Sequence, residues 1–349
     1  IWNCGVMTLS GKVDMPEANF DIMLDKRSGD DCYLNVATLT QVTNPISVRR
    51  WETDSTNDDA GLLANGATES HTAMFEAKKA DFYEIQLSEG TLVLAEKAVN
   101  FYGMNSSGEY LAVFADLSDL SAAPEGITYY RAGQDSDGAV IGTSVILDLN
   151  GKNLTNVTVN EDVTLSLVDT ANDQYHDDKC GSLSGTVNGT VNVLTKNNSK
   201  AYVVIDNNGT YSAHRYHRSL SAVSLNPSAD ALGYKATFRG DRVLRETIVT
   251  DYGFRLQVEG NSAKHFGKSK YDNTDLTLRL RNILANTGGQ MNISGCAYVT
   301  FTINGNEYTD YGSTVTTTMK ETIQKVDADW ADYNETQQAA VKALCDQYS

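Results

Sequence analysis

The densest group of side chains able to do chemistry is His214-Arg215-Tyr216-His217-Arg218. Imidazole nitrogens bind zinc, and two histidines three residues apart begin a zinc site when the segment is helical and a third ligand folds beside them. The flanking residues alternate as strands do, which turns His214 and His217 to opposite faces. The expected role is therefore a polar, basic strand face paired with nearby carboxylates. Asp135-Ser136-Asp137-Gly138 is a second candidate, with alternate carboxylates ahead of a glycine. That is a fragment of a calcium loop, in which hard oxygens surround the ion, without the rest of an EF-hand. Calcium at Asp135 and Asp137 is the one cofactor the sequence offers, beside the plainer reading of an acidic turn. Asp169, Asp173, Asp177 and Asp178 form another acidic group around Tyr175 and His176.

Nucleophile chemistry finds no foothold. The chain has no G-x-S-x-G elbow, no H-E-x-x-H and no G-x-x-x-x-G-K-[ST] loop. Glycoside hydrolysis needs two carboxyl groups at a set separation. With 45 Asp+Glu, some pair always offers itself, so the count carries no information. No enzymatic activity is expected. Trp2, Trp51, Tyr129, Tyr130, Tyr308 and Tyr311 would stack on sugar rings in a glycan-binding module, or fill strand and subunit interfaces.

The elements that position these residues sit in a chain of 349 residues with 28 Lys+Arg against 45 Asp+Glu, a net charge of −17. Such a surface repels phosphate, and without a basic stripe nucleic acid is not an expected partner. No apolar run approaches the ~20 residues of a membrane span. The opening Ile1-Trp2-Asn3-Cys4, with no leader-like segment, reads as a trimmed product. Five cysteines, Cys4, Cys32, Cys180, Cys296 and Cys345, are odd in number and widely spaced. They form no metal pattern, and only Cys4 with Cys32 is a candidate disulfide, the alternative being buried thiols. Eight N-x-[ST] triplets, at Asn105, Asn153, Asn156, Asn188, Asn197, Asn208, Asn292 and Asn334, are glycan acceptors in a eukaryotic secreted protein and otherwise turn residues.

The pattern predicts a mainly β chain in four parts. Residues 1–122 alternate with period two, as in Val36-Ala37-Thr38-Leu39-Thr40, and form a β-rich domain with a long polar surface loop over 52–70. Residues 123–198 carry short strands ended by Asn and Gly, the pattern of a β-solenoid or meander. Residues 199–317 read as an immunoglobulin-like β-sandwich, with hairpin turns at Asn208-Gly209 and Asn304-Gly305. Residues 318–349 change to helical spacing and form a helical hairpin, with Met319, Ile323, Val326 and Trp330 on one helix and Val341, Leu344, Cys345 and Tyr348 on the next.

Several strings in the later part of the chain are similar to known proteins. Val145-Ile146-Leu147-Asp148-Leu149-Asn150-Gly151-Lys152, Val163-Thr164-Leu165 and Asp169-Thr170-Ala171-Asn172-Asp173-Gln174-Tyr175 resemble the β-rich modules of large cell-surface proteins of anaerobic gut Clostridia. His214-Arg215-Tyr216, Gly233-Tyr234-Lys235-Ala236-Thr237-Phe238, Tyr252-Gly253-Phe254 and the segment from Trp330 to Leu344 resemble their C-terminal parts. The likeness covers about residues 140–349 and implies secretion and display on a cell exterior, with no catalytic residues to transfer. The expected function is an extracellular structural protein that self-assembles head to tail, as a filament or surface array. Its contacts are expected at Trp2, Val6 and Leu9 and at Trp330, Val341, Leu344 and Tyr348. The alternative is a glycan-binding or adhesive module whose partner is a cell-surface glycan.

Overall fold

Residues that alternate polar and apolar bury one face of a pleated strand, and most of the chain does this. The computed structural model describes residues 1–14, 21–26, 31–52, 56–172, 179–226, 231–268, 275–281, 291–318, 320–321 and 334–348. The fold is mainly β. Two compact units are present: Ile1–Ser166 with Leu183–Thr190, and Leu167–Ser182 with Val191–Ser349. Among the described residues no helix is long and apolar enough to cross a membrane.

In the first unit the chain passes back and forth between two sheets. β1 (Trp2–Asn3), β3 (Asp21–Asp25), β5 (Ile46–Trp51) and β7 (Phe75–Ala77) pair in parallel in that order. β2 (Val6–Val13), β4 (Tyr33–Val42) and β6 (Gly61–Asn65) pair in parallel in the other sheet, which β9 (Thr91–Glu96) and β8 (Tyr83–Ser88) extend antiparallel. Consecutive strands thus fall in opposite sheets, so each successive pair makes one coil of a parallel solenoid. Parallel register stacks like on like: Ile22 lies opposite Val48, and Val48 opposite Ala77, all three buried. Coiled pairing therefore begins at residue 2, well before the middle segment in which the sequence predicts it. Residues 52–70, expected as a loop, contain β6, because Leu63 and Ala64 are fully buried against the coil core.

The same plan continues with shorter rungs. β10 (Phe101–Met104) pairs antiparallel with β11 (Tyr110–Phe114), and the chain then runs through β12 (Tyr129–Ala132), β13 (Ser136–Asp137), β14 (Val140–Ile141), β15 (Val145–Asp148) and β16 (Asn153–Val159). β17 (Thr164–Val168), β18 (Ser182–Val187) and β19 (Thr190–Val191) complete it. One sheet has the order β11–β10–β12–β15–β17–β19, while β13 and β14 both lie in parallel beside β16. Tyr130 stacks on Leu147 and Ile141 on Val159, which fills the coil interior with buried side chains.

The second unit is antiparallel. β20 (Leu194–Asn197), β21 (Lys200–Asn207), β22 (Thr210–Asn226), β23 (Ala231–Gly240) and a strand at Leu276–Arg281 pair in that order. Lys264–Lys268, Val249–Val258, Ile293–Ile303 and Asn306–Tyr311 make the second sheet, with Val315–Thr317 also against Ile293–Ile303. Ala201, Val203, Tyr216 and Phe238 of the first sheet share one buried cluster with Tyr252, Val299, Phe301 and Ile303 of the second. Two tight hairpins fall at the Asn-Gly pairs: Asn208 and Gly209 have φ of 54° and 84°, and Asn304 and Gly305 have φ of 50° and 78°. Two consecutive positive φ values are what a primed two-residue turn demands.

Near the C-terminus, Thr318 Oγ1 accepts the Glu321 N–H at 3.1 Å while Glu321 Oε2 accepts the Thr318 N–H at 2.9 Å. This reciprocal capping opens a helical turn at residues 320–321, and the rest of the expected first helix lies outside the described residues. Met319 and residues 322–333, Trp330 among them, lie outside the described residues. A helix runs over Glu335–Tyr348, and its first turn is closed by the Gln338 N–H on the Asn334 carbonyl at 2.9 Å. The side chains of Val341, Leu344 and Tyr348 are outside what the structure describes.

Candidate functional site

Among the described residues, β1 and β2 each stand last in their sheets. A last strand presents N–H and C=O groups along one side. Trp2 is 58% exposed and Val6 54% exposed, the former resting edge-on against Trp51 at 5.9 Å between ring centroids. Arg49 lies over the other ring, 4.8 Å from the Trp51 centroid. Leu9, expected with them, turns inward and packs on the core.

Cys4 and Cys32 come together here, both as thiols. Cys4 is exposed and its sulfur accepts the Trp2 indole N–H at 3.2 Å. Cys32 is buried and donates to the Asn3 carbonyl at 2.7 Å. Burial pushes its thiol up in pKa, with the nearby Cys4 adding to the effect.

Asp135 and Asp137 are brought to one corner of the middle coils, and their oxygens are engaged by the following coil. Asp135 Oδ1 accepts the Asn153 N–H at 2.7 Å, and Asp137 Oδ1 accepts Thr155 Oγ1 at 2.6 Å and Asn156 Nδ2 at 2.7 Å. Those hydrogen bonds, from Thr155 first and then Asn156, hold the Asp137 carboxyl below its usual range. The pair ties one coil to the next. Asp169 serves the second unit in a similar way: buried completely, it accepts N–H bonds from Ala171 at 3.1 Å and Gly181 at 2.6 Å. Asp173, His176, Asp177 and Asp178 are outside the described residues.

The two histidines of the basic string point to opposite faces, as a strand requires. His217 is exposed, whereas His214 is buried and meets two partners that lie far away in the sequence. Its Nδ1 is 2.5 Å from Asp241 Oδ2 and 3.7 Å from Cys180 Sγ, and its Nε2 is 2.9 Å from Ser212 Oγ. Asn172, also fully buried, accepts the Arg215 N–H through Oδ1 at 2.9 Å, which fixes the orientation of its amide. Its Nδ2 then donates to Cys180 Sγ at 2.7 Å and to Asp241 Oδ2 at 3.3 Å. Asp241 Oδ1 accepts the Leu244 N–H at 3.0 Å at the head of a helical turn. Burial alone would raise the Asp241 carboxyl, but the hydrogen bond and charge of His214, with the Leu244 and Asn172 donors, bring it below its usual range. Among the described residues this is the one set of three His, Cys, Asp or Glu side chains whose ligand atoms all lie within 4.8 Å of one another.

Of this set the sequence singles out His214 alone. Cys180 shows no motif, and Asp241 betrays itself only as a helix cap three residues before Leu244. The aromatic residues separate: Tyr129 and Tyr130 are buried, while Trp2 and Tyr311 are exposed in different units. Compared with known proteins, the chain matches no family model, and no curated protein or solved structure is significantly similar to it.

Proposed function

We propose that the protein is an extracellular structural component of a bacterial cell surface that associates with further copies of itself through the N-terminal end of its solenoid. The observation that carries this reading is the pair of sheet-end strands β1 and β2 with Trp2 and Val6 exposed on them. A strand of a second copy laid along either edge gains main-chain hydrogen bonds, and burying the Trp2 and Val6 side chains contributes about 1.5–3 kcal/mol for each large apolar group. A head-to-tail contact whose rotation does not close into a ring propagates as a filament or array. Composition supports the location, since the chain is rich in Asn, Thr, Ser, Gly and Tyr and highly acidic.

The role needs no turnover and assigns no catalytic residue. Adhesion to a cell-surface glycan has less support, because Tyr129 and Tyr130 are buried and cannot form a stacking platform. Light scattering and negative-stain imaging of the purified chain test the assembly. Regular particles much larger than 38.0 kDa that dissolve in the Trp2→Lys/Val6→Lys variant are expected. A monomer at every concentration would remove the reading.

A further inference from the structure

We propose that Cys180, His214 and Asp241 form a binding site for a single zinc-class divalent cation in the second unit. The three side chains supply a sulfur, a nitrogen and an oxygen, the mixed donor set that zinc accepts and that calcium and magnesium do not favour. All three ligand atoms face one small volume. Zinc bonds of about 2.3 Å to sulfur and about 2.0–2.2 Å to nitrogen and oxygen set tetrahedral edges of about 3.3–3.7 Å. The Cys180 Sγ to His214 Nδ1 separation of 3.7 Å already meets this. The 2.5 Å contact of His214 with Asp241 widens when the ion takes the place of the proton between them.

Each ligand is also held from behind. Asn172 donates to the Cys180 sulfur, Ser212 Oγ steadies His214 through Nε2, and the Leu244 N–H holds the second oxygen of Asp241. Such outer partners fix tautomer and orientation in metal sites. Cys180 is partly exposed, which gives the ion a way in, while His214 and Asp241 are buried. The geometry does not suit a thiol nucleophile. A relay needs sulfur and carboxylate on different ring nitrogens. Here both face Nδ1, and Nε2 faces a serine.

Binding deprotonates the Cys180 thiol, while the neutral imidazole carries its one proton on Nε2, facing Ser212 Oγ, so one proton is released and binding weakens as pH falls. The test is a titration of the chelator-treated full chain with cobalt(II), followed by its absorption spectrum. One cobalt per chain, a thiolate-to-cobalt charge-transfer band in the near ultraviolet and displacement by zinc are expected. The band should disappear in Cys180→Ser and His214→Ala and persist in Cys32→Ser and Cys296→Ser. Because the first two variants remove buried contacts, the wild-type chain carries an independent readout: calorimetry with zinc in buffers of different ionisation enthalpy should report proton release. No charge-transfer band in the wild type, a band that survives Cys180→Ser, or zinc binding without proton release would overturn the site.

Discussion

Arg131 and Asp148 are register partners on the adjacent parallel strands β12 and β15, and the Arg131 Nε donates to Asp148 Oδ2 at 3.1 Å. The carboxyl group is fully buried, and its other oxygen accepts the Asn150 N–H at 3.0 Å, which shapes the turn that leaves β15. The same pair therefore sets the register between two coils and the corner that follows.

Asp148 is the buried partner and Arg131 is partly exposed, so losing the carboxylate costs less than the about 3–5 kcal/mol of a fully buried pair, about 1–3 kcal/mol. Asp148→Ala is expected to lose stability on that scale in urea unfolding. A loss within about 0.5 kcal/mol, as for an ordinary surface change, would show that the pair does not lock the coils.

Gly185 sets how closely neighbouring coils approach. Its φ is 149°, and a Cβ there would stand 2.1 Å from the Val157 carbonyl oxygen and 2.4 Å from the Val157 nitrogen. Both the backbone angle and the space forbid a side chain, and the clash is with backbone that cannot rotate away. Gly185→Ala is expected to lower the unfolding midpoint by at least the equivalent of the about 1–3 kcal/mol stored in a strained residue. An unchanged midpoint would mean that the coils are further apart.

Glu52 provides a pH dependence whose sign follows from its partners. The hydrogen bond from Arg50 at 2.5 Å, and secondly that from Lys26 at 3.2 Å, hold its carboxyl below the usual range. A depressed folded-state pKa gives stability that is present above the unfolded value and is lost as pH falls through the folded one. The window lies below about pH 4.3. Glu52→Gln lacks this contribution at neutral pH, so the gap between the wild-type and variant melting temperatures should close on acidification. A gap that is constant with pH would contradict it. The side chain is well exposed, so the effect is small.

Asp135 and Asp137 each commit one oxygen, Oδ1, to the next coil through Asn153, Thr155 and Asn156. Added calcium is accordingly expected to leave the melting temperature unchanged. A rise with calcium that is lost in Asp137→Asn would show instead that the corner converts to a cation site.

What the sequence made legible was local. Period two revealed Tyr83–Ser88 and Tyr110–Phe114, and the Asn-Gly pairs at 208 and 304 marked true hairpins. The short strands of the middle coils were readable from the Asn and Gly residues that end them, as at Asn150-Gly151 after Val145–Asp148. The first coils are uneven, with Trp2 meeting Met23 but Met23 meeting Arg49, so no period stands out. Strand β6 was hidden by its flanking Gly and Asn residues. Trp2 and Val6 were recognised as exposed apolar residues, whereas Leu9 lies one step along the pleat from solvent and serves the core. The partners of His214 were invisible because Cys180 and Asp241 reach it only through the tertiary fold.

Hydrogen exchange at the amides of Val6–Val13 as a function of protein concentration tests the N-terminal edge directly. Strand addition predicts that the outward-facing amides exchange quickly in dilute solution and become protected as concentration rises, with Trp2→Lys/Val6→Lys abolishing the change. Exchange rates that are the same at every concentration, in a wild-type chain that remains folded, would contradict it.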